Sequence, residues 1–137
     1  MIIILCLDDA NGMMFNQRRQ SKDSMVRKKL LELCGDKKLW VNNFSAQQFD
    51  EDQLERIKVQ DDFLDVAEAG DYCFVENNAL LPYEKKIEKL ILFKWNRLYP
   101  ADMKLDITLA ESGWRCITSE EFQGTSHKKI SMEVYEK

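Results

Sequence analysis

Residues 2–7, Ile2-Ile3-Ile4-Leu5-Cys6-Leu7, followed at once by Asp8-Asp9, decide the fold class. A strand with one wet face would alternate apolar and polar residues. Six apolar residues in a row, half of them β-branched, suit a strand covered on both faces. The run is too short to cross a bilayer, and it lacks the basic leader and small-residue cleavage site of a secretory signal. It is expected to be the central strand of a soluble, cytoplasmic α/β domain.

The segments that follow supply covering layers. Asp8 to Gln20 is a polar loop with an Asn11-Gly12 turn dipeptide. Helix signals begin at Ser21 or Asp23, with Ser21 as the cap and Asp23 favouring the positive end of the helix dipole. Its Val26, Leu30, Leu33 and Cys34 fall on one stripe, and Gly35 ends it. Leu39-Trp40-Val41 is a short strand, and Ser45 to Gln48 fits a capping box opening a short helix. Arg56 to Val59 alternates like an edge strand. Phe63, Val66 and Ala67 mark a short helix closed by Gly70, and Tyr72 to Val75 is a second buried strand. Pro82 opens a helix running to about Ile87. Leu90 to Trp95, Trp114 to Thr118 and Ile130 to Val134 are strands. Early alternation of strand and helix gives parallel pairing, and the run of late strands gives an antiparallel edge on the same sheet.

The chain has 137 residues, the length of one domain. Hydrophobic residues make up 45% and charged residues 32%, a balance that excludes a disordered chain. Two prolines and five glycines leave no room for a linker, so residues 1–137 are expected to form a single domain. The net charge of −4 argues against a nucleic-acid partner, which calls for a basic face; Arg18-Arg19 and Arg27-Lys28-Lys29 are the basic clusters present. Cys6, Cys34, Cys73 and Cys116 show no two-residue gap of a zinc or redox pair and are expected to be core thiols.

The order of elements resembles that of the dihydrofolate reductases. In that family an apolar strand, a mobile loop with a glycine and a helix starting near a carboxylate come first, as Ile2–Leu7, Asn11-Gly12-Met13 and Asp23 do here. Leu39 to Ser45 resembles the second strand and its following helix. Cys73 to Asn78, leading toward Tyr83, resembles the later strand. Glu88 to Leu92, Asp102 to Leu105, and Trp114 to Phe122 with Ser126-His127 and Met132 to Val134 resemble the tail. The resemblance implies a three-layer sandwich on a mixed, mostly parallel sheet with an antiparallel C-terminal edge. It also implies that Asp23 is the nearest match to the carboxylate that holds the pterin. Two departures argue against NADPH in the family's usual mode. Asn42-Asn43 stands where the family has Gly-Arg, and Asn77-Asn78 where it has Gly-Gly, so the close backbone approach and the phosphate-gripping arginine are both missing. No other cofactor is implied.

The chain also resembles a group of short uncharacterised bacterial proteins often labelled ribonuclease Z. The matching residues are Asp8, Asp9, Gly12, Met13, Phe15, Asn16, Arg18, Arg19, Gln20, Ser21 and Asp23, then Gly124, Ser126, His127, Lys129 and Ile130. Two-zinc hydrolysis needs several histidines around each metal, and this chain has one. No metal site is expected.

The densest polar stretch follows the carboxyl end of the first strand, where open α/β sheets place ligands. Here Asp8, Asn16, Arg18, Arg19, Gln20 and Ser21 are the candidate ligand-binding residues, with the two arginines gripping an anion and Asn16 and Gln20 orienting it. Asp23 is the catalytic candidate, and His127 a further one as the side chain that titrates near neutrality. Asp8-Asp9 reads as a strand-ending turn rather than a cation site. Trp40, Phe93, Trp95, Tyr99 and Trp114 read as core rather than as a pocket for a planar ligand. The expected function is small-molecule or nucleotide binding on a reductase scaffold. The rivals are a divergent NADPH-dependent pterin reductase, which would be an oxidoreductase, and a non-enzymatic RNA- or protein-interaction module.

Overall fold

The computed structural model describes residues 1–137. Strand β1, Ile2–Leu7, lies at the centre of a seven-stranded sheet of order β5-β4-β6-β1-β7-β10-β9. Its neighbours β6 (Tyr72–Phe74) and β7 (Lys89–Lys94) both run parallel to it. Beyond β6 lie β4 (Leu39–Val41) and the edge strand β5 (Ile57–Val59), again parallel. On the other side β10 (Ile130–Glu136) pairs antiparallel with β7, and β9 (Arg115–Phe122) pairs antiparallel with β10. This is the mixed, mostly parallel sheet with an antiparallel C-terminal edge that the sequence predicts.

The apolar run is buried on both faces because its residues feed two cores. Ile3, Leu5 and Leu7 pack with Cys73, Val75, Leu90 and Leu92 against Phe63 and Leu64 of α4 (Phe63–Val66) and against Leu80, Ile107 and Trp114. Ile4 packs on the opposite face with Phe74, Ile91 and Phe93 against Val26, Leu30, Leu31 and Cys34 of α1 (Ser24–Cys34). The inner stripe of α1 therefore carries Leu31 where spacing from Val26 and Leu30 suggested Leu33, which is half-buried. Cys34 and Cys73 are core thiols held protonated by burial, each raised to about 12. Cys116 is not: it is exposed on β9, a strand whose edge faces solvent. No helix is long and apolar enough to cross a membrane.

Local caps correct the helix starts. Asp23 caps α1, its carboxylate accepting from the Met25 and Val26 amides, so Ser21 is not the cap. Asn42 rather than Ser45 caps α2 (Asn43–Ala46), accepting from the Ser45 amide. The capping box belongs to α3 (Glu51–Leu54), formed by Asp50 and Gln53. A 3-10 helix covers Leu81–Lys86 with Pro82 in its first turn.

The polar loop after β1 is in fact a hairpin. Strand β2 (Gly12–Phe15) pairs antiparallel with β3 (Arg18–Arg19) on one side and β8 (Met103–Lys104) on the other. Asn16 and Gln17 both have positive φ, 54° and 61°, the geometry of a two-residue turn that matches strand twist. The usual Asn-Gly signal is absent because Gln occupies the second position, which hides the turn from a composition reading.

Leu30 has no exposed surface, and truncating it leaves a cavity against the sheet. Leu30→Ala should cost about 2–5 kcal/mol in urea unfolding. A loss under about 0.5 kcal/mol, the range of surface changes, would remove α1 from the core.

Candidate functional site

The carboxyl ends of β1, β4 and β6 meet the hairpin, and buried carboxylates hold the junction together. Asp8 ends β1 and is fully buried. One of its oxygens accepts from the Ala10 amide at 2.8 Å and the Gly12 amide at 2.6 Å. The other accepts from Gln20 Nε2 at 3.0 Å and the Tyr99 amide at 3.3 Å. Burial pushes this carboxyl up, but the Gly12, Ala10, Gln20 and Tyr99 bonds outweigh it and hold it below the usual range. Gly12 is required here: a Cβ would sit 2.6 Å from Asp8 Oδ2 and 2.7 Å from Ala101 Cβ.

Glu76 follows β6 and is 8% exposed. Arg19 grips it with two parallel bonds, Nε to Oε2 at 2.9 Å and Nη2 to Oε1 at 3.1 Å. Ser45 Oγ donates to it at 2.7 Å and Gln48 Nε2 at 2.9 Å. The Arg19 guanidinium also lies 4.4 Å from the Phe44 ring centroid and donates to the Phe44 carbonyl. The hairpin is thereby bolted to α2 and to the end of β6. Beside the bolt, Asn42 Nδ2 donates to Asn77 Oδ1 at 2.8 Å and Asn78 Oδ1 at 3.3 Å, so Asn42 bridges the ends of β4 and β6.

Two cavities flank the hairpin. An inner one of about 410 Å³ lies between the hairpin, α2 and the segment after β6, lined by Met14, Gln17, Phe44, Asn77, Asp102 and Met103. An outer one of about 290 Å³ is lined by Asn16, Arg18, Arg19 and Gln20 with Phe15, Tyr99 and Pro100. Four of the sequence candidates thus share the outer cavity. Asp8 reaches it through Gln20 and the Tyr99 amide, while Ser21 and Asp23 line neither cavity. Gln20 spends its amide nitrogen on Asp8, and its Oε1 is buried without a partner. Glu76, Phe44, Asp102 and Tyr99 carry no motif. The one usable signal was the position of Glu76, a lone acid directly after a buried strand.

Asp23 is fully engaged inside the protein. Beyond its two capping bonds, its second oxygen accepts from both the amide and the hydroxyl of Ser126 at 2.7 Å. Burial pushes this carboxyl up, and the Ser126, Val26 and Met25 bonds bring it below the usual range. Ser126 Oγ lies 2.6 Å from His127 Nδ1, and His127 Nε2 lies 2.6 Å from the Tyr99 hydroxyl. Because the serine proton goes to Asp23, the neutral imidazole donates from Nδ1 and accepts from Tyr99. The imidazole stacks on Trp95 at 4.8 Å, and burial lowers its pKa. This order of groups is unlike a hydrolytic triad, in which the carboxylate orients the histidine and the serine proton goes to the histidine. No group of three or more His, Cys, Asp or Glu side chains is placed to hold a metal ion.

No family model matches the chain. No curated protein matches it. Among solved structures it is similar to a dihydrofolate reductase from Enterococcus faecalis complexed with NADP(H) and RAB-propyl, with a TM-score of 0.66 and 9% identity, covering 98% of this chain and 94% of that one. The fold is therefore dihydrofolate reductase-like, and at this identity the likeness is one of fold alone. It lends nothing to the ribonuclease Z label.

Two outcomes follow from these carboxylates. Asp8→Asn places a donor among donors and should cost about 1–3 kcal/mol in urea unfolding at neutral pH. Asp8 and Asp23 both sit below their unfolded values, so their stabilisation is full above about pH 4 and is lost as pH falls through the lower folded values. The acid limb of stability should therefore be shallower in Asp8→Asn than in wild type; parallel limbs would refute this role. Glu76→Ala strands three donors and should cost about 3 kcal/mol, with hydrogen exchange accelerated at Arg18 and Arg19. Unchanged exchange there would mean the hairpin is held by something else.

Proposed function

We propose that this chain is a small-molecule-binding protein on a dihydrofolate reductase-like scaffold, with its ligand in the inner cavity. The observation that carries this reading is the cavity itself. It lies at the carboxyl ends of parallel strands, where such sheets place ligands, and its volume falls within the roughly 300–1,000 Å³ of small-molecule sites. Met14, Met103 and Phe44 offer polarizable and aromatic surface to a flat ring. Asp102 uses only Oδ2, for the Asn16 amide, leaving an acceptor for a ring N–H. Asn77 spends its Oδ1 on Asn42 and keeps its amide N–H groups for an acceptor. The fitting ligand is flat, partly apolar, and neutral or cationic.

A dinucleotide does not fit these residues. The Asn42–Asn77 bond spans the strand ends where the family's glycines admit a pyrophosphate, and Arg19, the cation nearest that gap, is spent on Glu76. With Asp23 taking four donors and both His127 nitrogens engaged, the reading is binding without catalysis. Part of the basic patch an RNA reading would use is engaged, Arg19 with Glu76 and Lys29 with Glu120 at 3.3 Å, while Arg18, Arg27 and Lys28 take part in no ion pair.

Thermal melts with a free pterin and with NADPH test the proposal. The pterin at about 100 times its Kd should add about 2.7 kcal/mol and several degrees of Tm, while NADPH adds none. Asp102→Asn, an exposed position, should keep the ligand-free Tm and lose the pterin shift. An NADPH shift equal to the pterin's would restore the reductase reading. Pterin silence, or an undiminished shift in Asp102→Asn, would overturn the inner cavity as its site.

A further inference from the structure

A third cavity lies away from the hairpin, between the segment after β7 and the turn joining β9 to β10. Its volume is about 440 Å³, and Trp95, Arg97, Ser126, His127, Lys128 and Lys129 line it together with Asn96. Three cations and no carboxylate face this space, in a chain whose net charge is −4. We propose that this groove binds a compact phosphate-bearing anion, held by Arg97 and Lys128 with Lys129 as a third contact.

The cations are available. Neither Arg97 nor Lys128 takes part in any ion pair of the structure. Lys129 meets Glu121 at 3.2 Å, but both side chains are more than half exposed, and such a pair holds its lysine weakly. The Arg97 guanidinium rests 5.3 Å from the Tyr99 ring centroid, which limits its wandering and keeps the fork presented. A guanidinium fork beside ammonium groups matches a phosphate, which offers three oxygens and up to two charges. A monocarboxylate would satisfy the fork and leave the lysines unpaired.

The floor of the groove is rigid. His127 stacks on buried Trp95, and its two nitrogens are tied to Ser126 and Tyr99. Asn96, at φ 59°, donates to the Lys129 carbonyl and Ser131 Oγ, fixing the loop against β10. Such preorganisation lowers the ordering cost of binding. The surroundings select a compact ligand. Glu120 and Glu121 on β9 are exposed beside the turn and would repel a polyanion running past it.

The chain's single histidine makes the test direct, since one imidazole gives one set of ring resonances. Inorganic pyrophosphate is titrated into the full-length protein with chloride at matched ionic strength as the control. A bound anion beside His127 favours the imidazolium, so its titration midpoint should move to higher pH with pyrophosphate and not with chloride. The Arg97→Ala, Lys128→Ala double variant alters exposed side chains and should keep the fold while weakening pyrophosphate binding at least tenfold, about 1.4 kcal/mol. Asp102→Asn should leave it unchanged, which separates this site from the inner cavity. Equal movement in chloride, or equal affinity in the double variant, overturns the proposal. Tight binding of a short single-stranded RNA at these residues, with pyrophosphate silent, overturns it in favour of a nucleic-acid surface.

Discussion

The arrangement of the carboxyl end of the sheet depends on one ion pair, Arg19 with Glu76. Met13 and Met14 seat the hairpin in the core beside β1, and Asp8 holds Gly12 and Gln20 at the end of that strand. The hairpin reaches α2 and the end of β6 through the Arg19 fork, and through the packing of Arg19 on Phe44. A buried pair recovers in Coulomb attraction roughly what it loses in desolvation, so its net stabilisation is small. What it supplies is position. Glu76 accepts four bonds from three residues, two from Arg19 of the hairpin and one each from Ser45 and Gln48 of α2 and the turn after it, so one carboxylate ties the hairpin to α2. The cavities on either side of the hairpin exist because it is held at that distance from the strand ends.

The same pair changes what the scaffold can hold. A reductase-like sheet that binds a pyrophosphate presents bare backbone N–H groups at the strand ends. Here side chains span that gap, with Asn42 bonded to both Asn77 and Asn78 and the nearest guanidinium already neutralised. On the proposed reading, polar groups at these strand ends bond each other rather than a cofactor. Asn42, buried at the end of β4, is the shared donor of this bridge, and loss of both its bonds would leave a buried amide unpaired at a cost of about 1–3 kcal/mol.

The fold was legible where burial dictates residue type. A strand covered on both faces must be apolar at every position, so Ile2–Leu7 announced the centre of the sheet; Ile130 to Val134 announced a closing strand, which lies inside the β9 edge and is buried at Ile130 and Ser131 and half-buried beyond rather than alternating. The hairpin was not legible. Its strands are short, and its turn places Asn16 and Gln17 at positive φ without a glycine. The candidate site was legible in part. Asn16, Arg18, Arg19 and Gln20 are near in sequence and share a cavity, so a dense polar stretch located them. Glu76, Ser45, Gln48 and Asp102 are brought in by pairings far apart in the chain, which no local pattern encodes. Asp23 shows the limit of residue type as evidence. A carboxylate at a helix start caps, binds or catalyses with the same sequence, and only its four donors distinguish the cases.

Where polar groups remain unspent is the more informative map. The buried carboxylates Asp8, Asp23 and Glu76 each take four donors, and Gly12 and Gly124 lie against the first two so closely that a Cβ would meet their oxygens at 2.6 and 2.5 Å. Groups consumed this way hold the fold and have nothing left for a ligand. The Asp102 oxygen, the Asn77 amide and the cations Arg18, Arg97 and Lys128 are left over; Asp102 and Asn77 line the inner cavity, Arg18 the outer one, and Arg97 and Lys128 the groove beside His127. A polar group that the protein does not satisfy must be satisfied by solvent or by a partner. Their segregation is chemical as well as spatial. An uncommitted carboxylate with thioethers lies inside the hairpin, Arg18 lies on its outer side, and the uncommitted Arg97 and Lys128 lie beside His127. On the two proposals made above, the surfaces would take ligands of different kinds, one flat, donor-bearing and neutral or cationic, the other a compact anion.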